Sequence, residues 1–95
     1  MPPDVRNRFR HEIDSMFRFL LQHQHEPHEC GVVYASFRGH TSSLRRRTTV
    51  ASCLAGGHEI WWIVEAATDL DALRLLPRYV AERTRASRVD EVSIP

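Results

Sequence analysis

Apolar residues recur along the first quarter of the chain with the period of a helix. At about 100° per residue, Val5, Phe9, Ile13, Met16, Phe17, Phe19 and Leu20 fall on one broad face, with Asn7, His11, Asp14, Ser15, Arg18 and Gln22 opposite. Asp4 stands where a cap is needed, so the pattern predicts an amphipathic helix over 5–24, within an N-terminal unit 1–25. Pro27 and the polar run His23-Gln24-His25-Glu26 would end it. The next segment, 30–37, is rich in β-branched and aromatic residues and predicts a strand.

Two further strand-like runs, 48–55 and 58–66, flank Gly56-Gly57, the pattern of a hairpin with a primed turn. Pairing Ala55 with His58 would set Cys53 opposite Ile60, Ala51 opposite Trp62 and Thr49 opposite Val64, small against large on one side. Thr68, with Asp71 three residues on, starts a second helix. Leu70, Leu73, Leu76 and Val80 form its buried side, and Pro77 divides it into 69–76 and 77–84. Residues 88–94 read as a last strand. The order α-β-β-β-α-β predicts one α+β domain, in which 30–95 supplies the sheet, second helix and final strand. Its antiparallel four-stranded sheet would carry both helices on one face.

That arrangement leaves a face to cover. Ile60-Trp61-Trp62-Ile63-Val64 is apolar on both sides, and so are the residues of the strand read over 30–37. Val32, Tyr34, Val50, Trp61 and Ile63 are the candidate interface, roughly 400–500 Å² of apolar surface, more than a monomer usually exposes. A homodimer packed sheet to sheet is the expectation, with another protein partner or a small anionic ligand as alternatives.

The second half carries a resemblance. Ile60-Trp61-Trp62-Ile63-Val64-Glu65-Ala66, then Ala72-Leu73, Leu76-Pro77 and Tyr79-Val80, then Val89 and Val92-Ser93-Ile94-Pro95, resemble the C-terminal half of small dimeric ferredoxin-like proteins of the muconolactone-isomerase and YciI-like kind. The resemblance covers about the last 40% of the chain. It implies a ferredoxin-like variant whose sheets face each other around small-molecule clefts. The first half departs from that pattern. Only residues 38–47 lie between the first two expected strands, and a parallel crossover usually needs about a dozen or more. No catalytic residue is carried over.

Composition adds bounds. Ninety-five residues make a single domain with a modest core. The net charge of +1 gives no broad attraction to nucleic acid or membrane, and all thirteen basic residues are arginine. Residues 1–50 carry eight arginines against five acids, while 51–95 carry five against seven. Two cysteines are too few for a disulfide scaffold, and the charged N-terminus lacks a signal core. A cytoplasmic protein with reduced thiols is expected. No apolar run approaches the roughly eighteen residues that span a bilayer.

Three constellations could carry chemistry. His28, Cys30, Cys53 and His58 form an H-x-C and C-x4-H pair that would converge at one end of the sheet if the first two strands are antiparallel neighbours. Zinc takes such N2S2 sets tetrahedrally. His40, Ser42, Arg45 and Arg47, in a stretch that also holds Arg38, Thr41, Ser43 and Arg46, suit a phosphate or carboxylate, although three consecutive arginines on a strand cannot all point one way. Cys53 with His58 is the one nucleophile pair, without a third orienting residue. Asp69 and Asp71 at the start of the second helix argue against a double-stranded-RNA module. The expectation is a non-enzymatic homodimeric binding or accessory module. A small dimeric isomerase or cyclase and a zinc-binding domain are the alternatives, and zinc is the one cofactor these residues suit.

Overall fold

The computed structural model describes residues 16–95. Its element order is β1 (Phe17–Gln24), a 3-10 turn (Pro27–Glu29), α1 (Cys30–Ala35), β2 (Val50–Ala51), a 3-10 turn (Cys53–Ala55), β3 (Glu59–Ala66), α2 (Asp69–Leu73), α3 (Arg78–Ala81) and β4 (Thr84–Arg88). The four strands form one antiparallel sheet in the order β2-β3-β1-β4, so the chain is of α+β class.

Two early elements differ from expectation. The part of the expected N-terminal helix that falls on 1–15 lies outside the described residues. The part on Phe17–Gln24 is a strand at the centre of the sheet, paired with β3 on one side and β4 on the other. Phe19, Leu21 and His23 point into the core, while Arg18, Leu20, Gln22 and Gln24 alternate with them on the outer side. A short apolar run satisfies both periods, and pairing on both edges decides for the strand.

The segment 30–37 is not a strand either. Glu26 N–H donates to Glu29 Oε1 at 3.0 Å, and Pro27 takes the first helical position, where its missing N–H costs nothing. Those features open a 3-10 turn that runs into α1. Pro27 therefore starts a helix rather than closing one. Val33 is the buried residue of α1, and Val32 and Tyr34 are half-exposed on its other side.

The hairpin forms in a shifted register. Val50 pairs with Trp61 and Ala51 with Ile60, two residues away from the symmetric pairing about Gly56-Gly57. The displacement comes from the turn Cys53–Ala55, closed by Gly56 at φ 88° and followed by His58 at φ 55°. Because the shift is even, faces are preserved, with small Ala51 still against a large residue. Cys53, however, leaves the ladder.

Later elements follow the expected pattern more closely. Thr68 Oγ1 accepts from Asp71 N at 3.1 Å and caps α2, and Pro77 separates α2 from α3. The last strand comes earlier, at Thr84–Arg88 instead of 88–94. It is an edge strand, polar and Arg-rich, with Arg88 lying over the Phe17 ring at 3.7 Å. Val92 and Ile94 are left exposed.

The core lies on one face of the sheet. Leu21 and Ile60 meet Val33 of α1, Ala72 of α2 and Val80 of α3, and all five are essentially inaccessible to solvent. The opposite face carries Leu20, Trp61, Ile63 and Val50. No helix among the described residues is long and apolar enough to cross a membrane.

Candidate metal centre

At one end of the core, two connections meet. The first leaves β1 through His25 and enters α1 at Cys30. The second leaves β2 through Cys53 and enters β3 after His58. His25 N–H donates to His58 O at 3.1 Å, so the β1–β3 pairing continues one step beyond the ladder and holds the connections together.

His25 inherits its direction from β1. Leu21, His23 and His25 follow at intervals of two and all turn inward, leaving His25 at 6% exposure. Cys30 is the first residue of α1. Cys53 opens the 3-10 turn, and the left-handed backbone of His58, tolerated better by histidine than by most residues, aims its ring at Cys30.

The donor atoms converge. His25 Nε2 lies 3.2 Å from Cys30 Sγ and 3.7 Å from Cys53 Sγ, and His58 Nδ1 lies 3.2 Å from Cys30 Sγ. All four lie within 4.8 Å of one another and could hold a metal ion. A zinc tetrahedron built from Zn–S near 2.3 Å and Zn–N near 2.0–2.1 Å has edges of roughly 3.3–3.8 Å. The set needs only small side-chain movement to close on such an ion.

Hydrogen bonds behind His25 fix which nitrogen it offers. Thr84 Oγ1 donates to Val80 O at 2.6 Å, which leaves that hydroxyl oxygen to accept from His23 Nδ1 at 3.0 Å. His23 Nε2 is then the acceptor for His25 Nδ1–H at 3.0 Å. His25 therefore presents an unprotonated Nε2 to the two sulfurs. Burial, and next the facing His25, hold His23 below the usual histidine range; burial and then His58 do the same for His25. Both are neutral near pH 7, as ligation requires.

The thiols have the opposite need. Partial burial and the nearby Cys53 push the Cys30 thiol up, which does not suit a nucleophile. A bound dication reverses that balance, because it deprotonates a coordinating thiol outright. Tyr34 Oη donates to Cys53 Sγ at 3.5 Å, and its own pKa is pushed up to about 12, chiefly by that contact.

A second cluster pins the first connection to α3. Glu29 Oε2 accepts from the Tyr79 hydroxyl and from Arg83 Nε at 2.8 Å. The Glu29 carboxyl is held at about 2, first by Tyr79, then by the Glu26 backbone N–H, with Arg83 adding to both. Arg83 also lies over the Tyr79 ring at 3.8 Å.

Of the sequence-derived ligands, Cys30, Cys53 and His58 come together and His28 does not. His28 is exposed in the turn Pro27–Glu29, and His25 takes its place. Alternation from Leu21 through His23 to His25 was the available signal, hidden by the helical reading of β1. Of the candidate nucleophile pair, His58 Nδ1 lies 3.2 Å from Cys30 Sγ, with Cys53 in the same cluster.

The other candidates are spread out. His40 Nε2 lies 3.1 Å from Leu75 O, and Ser42 Oγ accepts from Leu44 N–H at 3.2 Å, while Arg45 and Arg47 line a separate cavity. Val50, Trp61 and Ile63 share the open sheet face; Val32 and Tyr34 sit on α1, which covers the opposite face. No family model, curated protein or solved structure matches the chain.

Proposed function

We propose that the chain is a zinc-binding domain in which His25, Cys30, Cys53 and His58 clip the β1–α1 connection to the β2–β3 hairpin. The observation that carries this is the convergence of two imidazole nitrogens and two sulfurs within 4.8 Å of one another. Thiolate with imidazole in a tetrahedral set is a zinc preference, and carboxylate-seeking magnesium or calcium has no ligand there. Four protein donors fill the tetrahedron, which is the signature of a structural site, whereas catalytic zinc keeps one position open. The ion's role in such a closed site is structural rather than catalytic.

The fold supports a ferredoxin-like variant. The element order β-α-β-β-αα-β, in which α2 and α3 are the two halves parted by Pro77, with strand order β2-β3-β1-β4, supplies a helix between the first two strands. The isomerase or cyclase alternative would want Trp61 or Trp62 in one cleft with His58 or Glu65. Trp62 lines a cavity with Tyr34 and Phe37, and Trp61 lines one with Gln22 and Arg85. His58 lines another with His25 and Arg83, and Glu65 lies beside Arg18.

Native mass spectrometry of untagged protein tests the proposal. One zinc per chain is expected, with removal by a chelator lowering the melting temperature, since the apo connections lose their common anchor. Metal-free protein that takes up no zinc on addition, or a melting temperature indifferent to the chelator, contradicts it.

A further inference from the structure

On the core side of β3, next to the proposed metal site through Tyr34, whose hydroxyl donates to Cys53 Sγ, a cavity of about 300 Å³ opens between the sheet, the C-terminal end of α1 and the loop before β2. Its floor is aromatic. Trp62 and Phe37 stand with ring centroids 6.1 Å apart, and Tyr34 adds a third ring. Its rim is cationic, formed by Arg45, Arg46 and Arg47.

Those three arginines differ from most others in the molecule. Arg18, Arg74, Arg78 and Arg83 each pair with a carboxylate, Arg85 donates to Gln22, and Arg88 covers Phe17. Among the described residues, no carboxylate lies within 4.0 Å of the three guanidinium groups. Three adjacent like charges repel one another, and an anion between them relieves that repulsion.

Backbone geometry explains how all three reach one cavity. On a strand Arg46 would point away from Arg45 and Arg47. Here the segment is a turn, with Arg45 N–H donating to Ser42 O at 3.2 Å and Arg47 N–H to Leu44 O at 3.4 Å. Arg46 sits at φ 65°, in the left-handed region that a residue of its type rarely adopts. Strain of that kind concentrates where a loop is shaped for contact.

We propose that this cavity binds a small carboxylic acid with a single aromatic ring, its carboxylate forked by the loop arginines and its ring packed on Trp62 and Phe37. The charge selects an anion, and bidentate guanidinium contacts suit a planar carboxylate. The aromatic floor selects an apolar body by offset or edge-to-face contact. A volume at the small end of ligand pockets suits a ligand with a single ring.

Fluorescence titration of the full chain, excited selectively at tryptophan, tests the assignment in a Trp61→Phe background that leaves Trp62 as the sole tryptophan. Phenylacetate is the probe, with 2-phenylethanol and inorganic phosphate as controls. Saturable quenching by phenylacetate is expected, with a midpoint at or below about 1 mM. The neutral alcohol should bind at least tenfold more weakly, and phosphate should not displace the probe. The double variant Arg45→Ala, Arg47→Ala should lose at least tenfold in phenylacetate affinity while its melting temperature stays put. Absence of saturation by about 10 mM, equal binding of the alcohol, displacement by phosphate, or an arginine variant that binds like its parent each overturns the proposal.

Discussion

At the scale of single residues, the proposed metal centre depends on a side chain that would donate nothing to the ion. His23 is 1% exposed and bonds to Thr84 on one side and His25 on the other. Its role is to hold the His25 ring in one orientation and one tautomer. Replacing it leaves His25 Nδ1–H buried without its partner, so Nε2 loses both aim and basicity. Partners of this kind affect metal affinity by about 10–100-fold. His23→Ala is therefore expected to weaken zinc binding within that range, read by competition with a chromophoric chelator. His23→Gln, which can still accept from His25, should recover part of the loss. Wild-type affinity in His23→Ala would show that the His23–His25 contact is idle. His58 makes a different contribution, because its positive φ is a backbone cost accepted at the point where the ring meets Cys30.

At the scale of elements, the β2–β3 connection is where geometry is tightest. Ser52 O accepts from Gly57 N–H at 2.8 Å and from Ala55 N–H at 2.9 Å, and Ser52 Oγ accepts from Glu59 N–H at 3.1 Å. A Cβ on Gly57 would stand 2.3 Å from Ser52 Oγ and 2.7 Å from Ser52 Cβ. Ser52 cannot move aside without giving up those bonds. Gly57→Ala should therefore lower stability by roughly 1–3 kcal/mol and weaken zinc binding, since Cys53 and His58 flank the displaced turn. Gly31→Ala is the control, with open space around it in α1 and a gain in helix propensity. Equal melting temperatures and equal zinc affinity for Gly57→Ala and wild type would contradict this reading of the loop.

The same elements mark how far the sequence could be read. Glu59–Ala66 was legible because its long β-branched and aromatic run is flanked by turn residues. The Thr68 cap and the Pro77 break were legible because each rests on local backbone chemistry. Phe17–Gln24 was not, since Phe17 and Leu20 also extend the helical stripe of Val5, Phe9 and Ile13, and only pairing with two neighbours separates the periods. Cys30–Ala35 was misread because β-branched content outweighed the Glu26-Pro27-His28-Glu29 start signal. Those two errors cost the site one ligand. A strand through His23 turns His25 inward, and a helical turn at Pro27–Glu29 turns His28 outward. Cys30, Cys53 and His58 were legible as ligand types. The path that lets Cys53 join them, an even register shift and a 3-10 turn, left no mark in composition.

At the scale of the whole molecule, the small core explains why a clip would matter. A chain of 95 residues buries a limited fraction of its surface, and metal binding to the native state alone adds to folding stability. The proposed ion joins residues 25–30 to residues 53–58 at the end of the sheet where β2 has only two residues in the ladder. Glu29, Tyr79 and Arg83 tie the first of those connections to α3. The proposed ion and this polar cluster would thus brace the same segment.

The central claim is the identity of the four ligands, and cobalt(II) titration reads it most directly. Tetrahedral cobalt with two thiolates absorbs strongly in the visible and charge-transfer regions, whereas aqueous octahedral cobalt is nearly colourless. Wild type and His28→Ala should both develop the tetrahedral spectrum, saturating at one equivalent, while His25→Ala should lose it or change its band pattern. A spectrum that survives in His25→Ala and disappears in His28→Ala, or none in wild type, would contradict the account.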